Sequence, residues 1–554
     1  MKHRKKYIAG FLLLYLAFTC LFTLLWLLKN LPWLDLPTIV FQMKVPLEGT
    51  EMGSFAGIIL LDTVGSLSAA GAATALALAL ERRKRKKTRK AEEGATGETA
   101  ETVRAAETGE AAENCEAAET GEAAEVCKAA GTEPAAENCK ARKPAETGKT
   151  GKRFLLVSGV LFAAALIALL CQMDVFGYLY RQCVKTEIYD DYYVEPEQAE
   201  LVFPEKKRNL VYIYLESMEL SFADPEHGGI AADNYIPKLT ELSLSETDFA
   251  YGNETELNGV VSTTGTTWTI ASFVAQTAGV PLSIPIGRNA MGKGYSSFLP
   301  GAYTLGDILQ KEGYRQMMLL GSDKAFSGMD VYLESHGGYE IIDYYRALEE
   351  HRLPTDDYKV WWGFEDCYLF AFAKEELTKL AEGDQPFALT LMTMDTHRTD
   401  GYRCEHCPDT FGNQYSNVIS CSDTQVTEFV AWLQEQDFWE NTTVVIVGDH
   451  PTMDGNYIQK LPGYSEDYQR RQYLAILNGA KEYTLEKTRK MTPMDLFPTT
   501  LAALGVEIPG DRLGLGTDLY SETPTLLEEL GLETLNREFE KTSDFYNKRL
   551  LYGE

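Results

Sequence analysis

The sequence predicts an α/β domain, a mixed and mostly parallel sheet sandwiched by helices, preceded by three transmembrane helices. Apolar runs almost free of charge and flanked by basic clusters occupy much of the first 173 residues. From Lys206 to the C-terminus, short strand-like runs alternate with helix-like segments. Several of those runs end in acidic, hydroxyl or imidazole residues, and such groups gather at the carboxyl ends of strands in open α/β sheets.

The chain has 554 residues, too many for one compact domain. It carries 52 Lys and Arg against 81 Asp and Glu, a formal net charge of -29, which argues against a nucleic-acid partner. Residues 1–89 read as an N-terminal membrane region with two spans. MKHRKK precedes the uncharged run at about 7–28, and a second run at about 55–80, broken only by Asp62, ends in the basic block ERRKRKKTRK. The first run is longer than a signal-peptide core and lacks a small-residue cleavage site, which favours a span. Residues 90–150 form an acidic low-complexity linker with the repeat AAETGEAAENC, AAETGEAAEVC, AAGTEPAAENC. Its recurrent Cys115, Cys127 and Cys139 lack the histidines and turn residues of a metal site, so the segment reads as solvated and flexible. Residues 151–173 are the third span, behind Lys149, Lys152 and Arg153.

The basic flanks agree on one orientation, with N-terminus and linker cytoplasmic and everything after the third span extracellular. Residues 174–205, acidic and aromatic with YDDYY at 189–193, read as a juxtamembrane connector whose tyrosines suit a lipid interface. Residues 206–554 are the extracellular domain. Strand-like runs lie at 210–215, 314–320, 387–394, 443–447 and 473–477, and about 350 residues suffice for a sheet covered on both faces.

The run LVYIYL is followed by Glu216, FALTLMTM by Asp395, Thr396 and His397, and TTVVIVG by Asp449 and His450. Carboxylates and imidazole suit Mn²⁺, Mg²⁺ or Zn²⁺. The blander alternatives are a helix cap at Glu216, a turn at Asp449 and a surface imidazole at His450. Thr269 marks the change from the glycine- and hydroxyl-rich TTGTTW to the apolar, helix-like IASFVAQTA. A hydroxyl there is either an ordinary cap or a group placed where free N–H groups and the helix dipole favour an anionic phosphate.

Several of these stretches, in this order, resemble a known family. They are NLVYIYLESME from Asn209, TGTTWTIASFVAQTAGVPL from Thr264, LTLMTMDTHRTDG from Leu389, YSNVISCSDTQVTEFVAWL from Tyr415, VVIVGDHP from Val444 and MTPMDLFPTTLAALGV from Met491. The chain from Lys206 to Tyr520 resembles the sulfatase-like branch of the alkaline phosphatase superfamily. Within that branch it is similar to the phosphoglycerol transferases of periplasmic glucans and to the lipoteichoic acid synthases, the WTI and DTH motifs favouring the former. The resemblance implies Thr269 as nucleophile. It implies Glu216, Thr269, Asp449 and His450 as ligands of one divalent metal, manganese first, with magnesium or zinc as alternatives. It implies His397 at the substrate phosphate, phosphatidylglycerol as donor, a phosphoglycerol ester on Thr269, and a glycan or glycerol-phosphate polymer as acceptor. A hydrolase of the same fold and a non-catalytic surface domain are the competing readings.

The chain departs from the family in two places. The lipoteichoic acid synthases carry a His-Gly-Asn-Asn-like segment with nearby Trp and Arg, whereas LLGSDKAFSGMDVYLESHGGYE from Leu319 lacks them and offers Asp323 and Lys324 for substrate binding. Thr269 is followed by Ile270, Ala271, Ser272 and Phe273, not by the Pro and Arg of the sulfatase C/S-x-P-x-R motif. Thr266 and Thr267 are rival nucleophiles. Cys404 and Cys407 in CEHC make an incomplete zinc set, and a disulfide among Cys367, Cys404, Cys407 and Cys421 is the favoured expectation outside the cell. Trp361 and Trp362 are read as core or a lipid-facing rim.

Overall fold

The computed structural model describes residues 2–30, 52–107, 149–252, 255–283 and 297–554. The chain divides into two compact units, 1–26 with 52–172, and 27–51 with 173–554.

The first unit holds α1 (Lys2–Asn30), α2 (Met52–Glu107) and α3 (Lys149–Gln172). Each contains a stretch long and apolar enough to cross a membrane. Asp62, the one charge in the second apolar run, accepts hydrogen bonds from Thr23 Oγ1 (2.9 Å) and Ser66 Oγ (3.0 Å). Neighbouring hydroxyls thus satisfy a carboxylate at membrane depth. Helix α2 continues through the basic block into the first part of the predicted linker. Most of that linker, including its three repeated cysteines, lies outside the described residues.

The second unit is built on a six-stranded sheet ordered β3-β2-β4-β1-β5-β6. The strands are β1 (Asn209–Leu215), β2 (Arg315–Leu320), β3 (Glu340–Ile342), β4 (Phe387–Met392), β5 (Thr442–Gly448) and β6 (Leu474–Leu477). The pairs β1–β4, β1–β5, β2–β3 and β2–β4 are parallel, and only β5–β6 is antiparallel. All five predicted strands form, and the short β3 is an addition.

Every residue of β1 is buried because alternate side chains enter two cores. Leu210, Tyr212 and Tyr214 face a layer that includes α4 (Thr269–Ala278) and a helix at Leu496–Ala503. Val211, Ile213 and Leu215 face α5 (Asp366–Ala381) and α6 (Gln414–Gln434).

The segment 174–205 is part of this unit. Tyr189, expected at a lipid interface, is buried instead, its ring 6.1 Å from Phe545 and 5.5 Å from Tyr546. Backbone bridges join Val194 to Gly514 and Val202 to Glu507. Burying aromatic area against the C-terminal segment is worth more than leaving those rings exposed.

Candidate active site

Strand order assembles the site. Strands β4, β1 and β5 are neighbours and parallel, so their carboxyl ends lie side by side at one edge. Glu216 follows β1, Asp449 and His450 follow β5, and His397 lies on the loop after β4. Gly448 lets β5 end there, because a Cβ at that position would stand 1.9 Å from the Met218 carbonyl oxygen.

The structure brings Glu216, Asp449, His450 and Thr269 together. The nearest ligand atoms of Glu216, Asp449 and His450 all lie within 4.8 Å of one another, and all three side chains are buried. His450 Nε2 is 3.3 Å from Asp449 Oδ2, 3.9 Å from Glu216 Oε1 and 3.3 Å from Thr269 Oγ1. His450 Nδ1 is 3.0 Å from the Pro451 carbonyl oxygen, a pure acceptor, so Nδ1 carries the proton and Nε2 turns its lone pair to the cluster. The two oxygens of Asp449 differ. Oδ1 accepts from the backbone N–H groups of Ser217 (2.8 Å) and His450 (2.7 Å), while Oδ2 is buried with no hydrogen-bond donor. Burial first, then the charge of Asp449, pushes the Glu216 carboxyl well above its usual range.

A buried lone pair facing a buried, undonated carboxylate oxygen is unfavourable as it stands and favourable around a cation. Glu216 Oε1, Asp449 Oδ2, His450 Nε2 and Thr269 Oγ1 therefore fit a divalent metal, as oxygen and imidazole donors do. Further hydrogen bonds hold the set in place. Ser217 Oγ donates to Glu216 Oε1 (2.6 Å), Thr393 Oγ1 accepts from the Glu216 N–H (2.9 Å), and Gln472 Nε2 donates to the Asp449 carbonyl (2.7 Å).

Thr269 is the first residue of α4. Its predecessor Trp268 is the cap and provides no side-chain bond to the helix start, so the cap reading of Thr269 does not describe this helix. The rival threonines lie apart from the cluster. Thr266 exchanges hydrogen bonds with the Thr263 backbone (2.8 and 2.9 Å), and Thr267 faces solvent.

A cleft opens beside the cluster, with Glu216, Thr269, His397 and Asp323 in its lining. His397 is partly buried, its Nδ1 is 2.8 Å from the Arg398 carbonyl oxygen, and burial lowers its pKa to about 4. It is a neutral imidazole at pH 7 with Nδ1 protonated and Nε2 free to accept. Lys324 does not join the cleft lining, since its ammonium pairs with Glu334 (3.2 Å) on the surface.

Sequence reasoning read Trp362 as core or a lipid-facing rim and gave it no place at the site. Its ring meets His397 edge-on at 4.8 Å, touches Phe326 at 5.3 Å and walls the cleft. It stands in a connecting segment outside any strand-end motif, so no local signal tied it to His397. Of the predicted disulfide candidates, Cys407 and Cys421 are bonded.

A mostly parallel α/β domain with a metal-fitting cluster and a helix-start hydroxyl at its strand ends has the make-up of the metal-assisted ester-chemistry class. The sulfatase family profile matches residues 208–506, more than half of the chain, and the chain belongs to that family. Phosphoglycerol transferase I of Salmonella typhi and of Salmonella typhimurium are each 32% identical to it over 339 residues, 60% of this chain and 41% of theirs. The chain thus aligns with less than half the length of these curated relatives. Among solved structures, the lipoteichoic acid synthase LtaP of Listeria monocytogenes is 18% identical with a TM-score of 0.43, covering 61% of this chain and 82% of that one. An alkaline phosphatase superfamily protein of Vibrio parahaemolyticus is 20% identical with a TM-score of 0.41, covering 58% and 71%.

Proposed function

We propose that this protein is a membrane-anchored phosphoglycerol transferase that moves phosphoglycerol from phosphatidylglycerol to an extracellular glycan or glycerol-phosphate polymer through an ester on Thr269. The observation that carries the reading is Thr269 Oγ1 at the start of α4, 3.3 Å from His450 Nε2, the nitrogen that also lies 3.3 Å from the undonated Asp449 Oδ2. Identity to the phosphoglycerol transferases over the matched region supports the donor.

Glu216, Thr269, Asp449 and His450 would hold one divalent cation, manganese by resemblance. When bound, that cation supplies Lewis-acid stabilisation of phosphoryl charge and lowers the pKa of the threonine hydroxyl. Thr269 Oγ1 forms a bond to phosphorus as the bond from phosphorus to the diacylglycerol oxygen breaks. The threonine gives up a proton and the diacylglycerol oxygen takes one. The acceptor hydroxyl then attacks the same phosphorus, the bond to Thr269 breaks, and the threonine regains its proton. His397, neutral with Nε2 free, takes the threonine's proton in the first step and gives it to the diacylglycerol oxygen, and in the second step takes the acceptor's proton and returns it to Thr269 Oγ1. The α4 N-terminus favours the anionic phosphoryl group, and Asp323 lines the wall where the glycerol hydroxyls would lie. Lys324 remains in the proposal only as a surface charge near the cleft mouth. The three apolar helices keep the domain at the bilayer that contains the donor.

The test is to incubate the full chain in vesicles of headgroup-labelled phosphatidylglycerol with Mn²⁺. Diacylglycerol release with label on Thr269 is expected. Absence of diacylglycerol overturns the donor, and free glycerol phosphate in the presence of every glycan offered turns the reading to a hydrolase.

A further inference from the structure

The peptide bond between Thr396 and His397 is held on both sides. Its N–H, on His397, donates to the Met394 carbonyl oxygen (3.0 Å), and its C=O, on Thr396, accepts from the Tyr415 hydroxyl (2.9 Å). Tyr415 is the second residue of α6 and is fully buried. Its one proton is spent on that carbonyl, so in the 2.7 Å contact between its oxygen and Thr452 Oγ1 the threonine is the donor. Thr452 stands two residues past His450. A single phenolic oxygen thus joins the loop after β4, which carries His397, to the loop after β5, which carries His450.

Both loops are also tied to the end of β1. Thr396 Oγ1 donates to the Glu216 carbonyl oxygen (2.5 Å), and the Thr452 N–H donates to Glu219 Oε1 (3.1 Å). Glu219 is buried and accepts from Arg470 Nε (2.8 Å), and Arg470 Nη2 donates to the Thr452 carbonyl oxygen (2.7 Å). The circuit of Glu216, Thr396, Tyr415, Thr452 and Glu219 closes through the short run from Glu216 to Glu219. The Tyr415 ring meets Tyr457 edge-on at 4.8 Å and Phe222 at 6.2 Å, contacts that a phenylalanine would keep. The hydroxyl is the part of this side chain that packing does not require.

We propose that Tyr415 is a positioning residue for the transfer reaction, its hydroxyl holding His397 at a fixed place relative to the cluster of Glu216, Asp449 and His450. The inference rests on the reading above, in which His397 moves the proton. Tyr415 is outside the cleft lining and acts through His397. A misplacement of about 1 Å can cost ~10²-fold in rate, so loss of the tether is felt in kcat rather than in KM.

The tether is read first without turnover. The full chain in detergent, parent and Tyr415→Phe, is treated with diethyl pyrocarbonate, and carbethoxylation of each histidine is followed by mass spectrometry. Faster modification of His397 in Tyr415→Phe is expected, with His336 as slow as in the parent. His336 is buried elsewhere, on contacts to Asp307 and Phe298 that Tyr415 does not share. An unchanged rate at His397, or an equal rise at His336, overturns the inference. In the phosphatidylglycerol assay, Tyr415→Phe is expected to lower kcat at least ~10-fold at unchanged KM, and to lower it no further in a His397→Gln background. Thr452→Val should repeat that pattern, and Thr452→Ser should keep the parent rate. An equal fall in both backgrounds marks a merely structural role and overturns the inference. A parent chain that releases no diacylglycerol overturns the transfer reading, and the carbethoxylation rates still decide the tether.

Discussion

Asp449 uses its two oxygens for different tasks, and that division allows a clean substitution. In Asp449→Asn the oxygen that accepts from Ser217 and His450 is retained, while an amide replaces the undonated Oδ2. The fold is expected to survive, and Mn²⁺ affinity measured by calorimetry to fall by at least ~10²-fold, the upper range for disturbing even an outer partner of a metal ligand. Unchanged affinity would remove Asp449 from the ligand set. Thr269→Ala is expected to lower diacylglycerol release by at least ~10³-fold while leaving the thermal midpoint nearly unchanged, because the hydroxyl meets the cluster and not the core. His397 gives a pH signature. Its pKa falls from the ordinary 6.5 to about 4 on folding, so between those values the unfolded chain binds more protons than the folded one. Its contribution to stability is present above pH 6.5 and is lost as pH falls through about 4. The drop in urea midpoint over that window should be smaller in His397→Gln than in the parent chain. These residues were legible in the sequence because each ends a strand-like run or begins a helix-like one. Trp362 was not, since its relation to His397 depends on a contact between two loops that no periodicity records.

The strand ends depend on backbone that leaves no room. At Gly448 a methyl group would collide with the Met218 carbonyl and its carbon, fixed backbone atoms that cannot rotate away. Gly448→Ala should therefore destabilise by about 3 kcal/mol, the upper part of the overpacking range, and should shift Asp449 enough to weaken Mn²⁺ binding. A denaturant midpoint equal to the parent's would show that the edge yields. The disulfide between Cys407 and Cys421, 14 residues apart, fixes the other rim. Replacing both with Ser is expected to cost about 3 kcal/mol by the loop-entropy relation, read from the same unfolding curve. The sheet itself was readable, because β1, β2, β4, β5 and β6 are short apolar runs bounded by polar residues. Which cysteines pair was not, because sequence spacing does not fix which face of α6 meets the loop that carries Cys407. The fate of residues 174–205 was hidden for the same reason, as Tyr189 finds its partners more than 350 positions away at Phe545 and Tyr546.

At the scale of the whole chain, orientation decides whether the proposed chemistry can meet its substrates. The three basic flanks, at 2–6, at 81–90 and at 149–153, alternate with the apolar runs so that one arrangement keeps all of them on one side. Moving any of these clusters across the bilayer would oppose the surface potential of the cytoplasmic leaflet, and with the three apolar helices among the described residues as spans the proposed arrangement puts residues 174–554 outside. Native cysteines supply the probes: Cys115, Cys127 and Cys139 in the acidic repeat, and exposed Cys183 beyond the third span. A membrane-impermeant maleimide added to intact cells should label Cys183 and spare the three repeat cysteines, which become reactive only after permeabilisation. Labelling of the repeat in intact cells would place it outside. The sheet unit would then lie in the cytoplasm, away from any extracellular acceptor and in a compartment where Cys407–Cys421 would not persist.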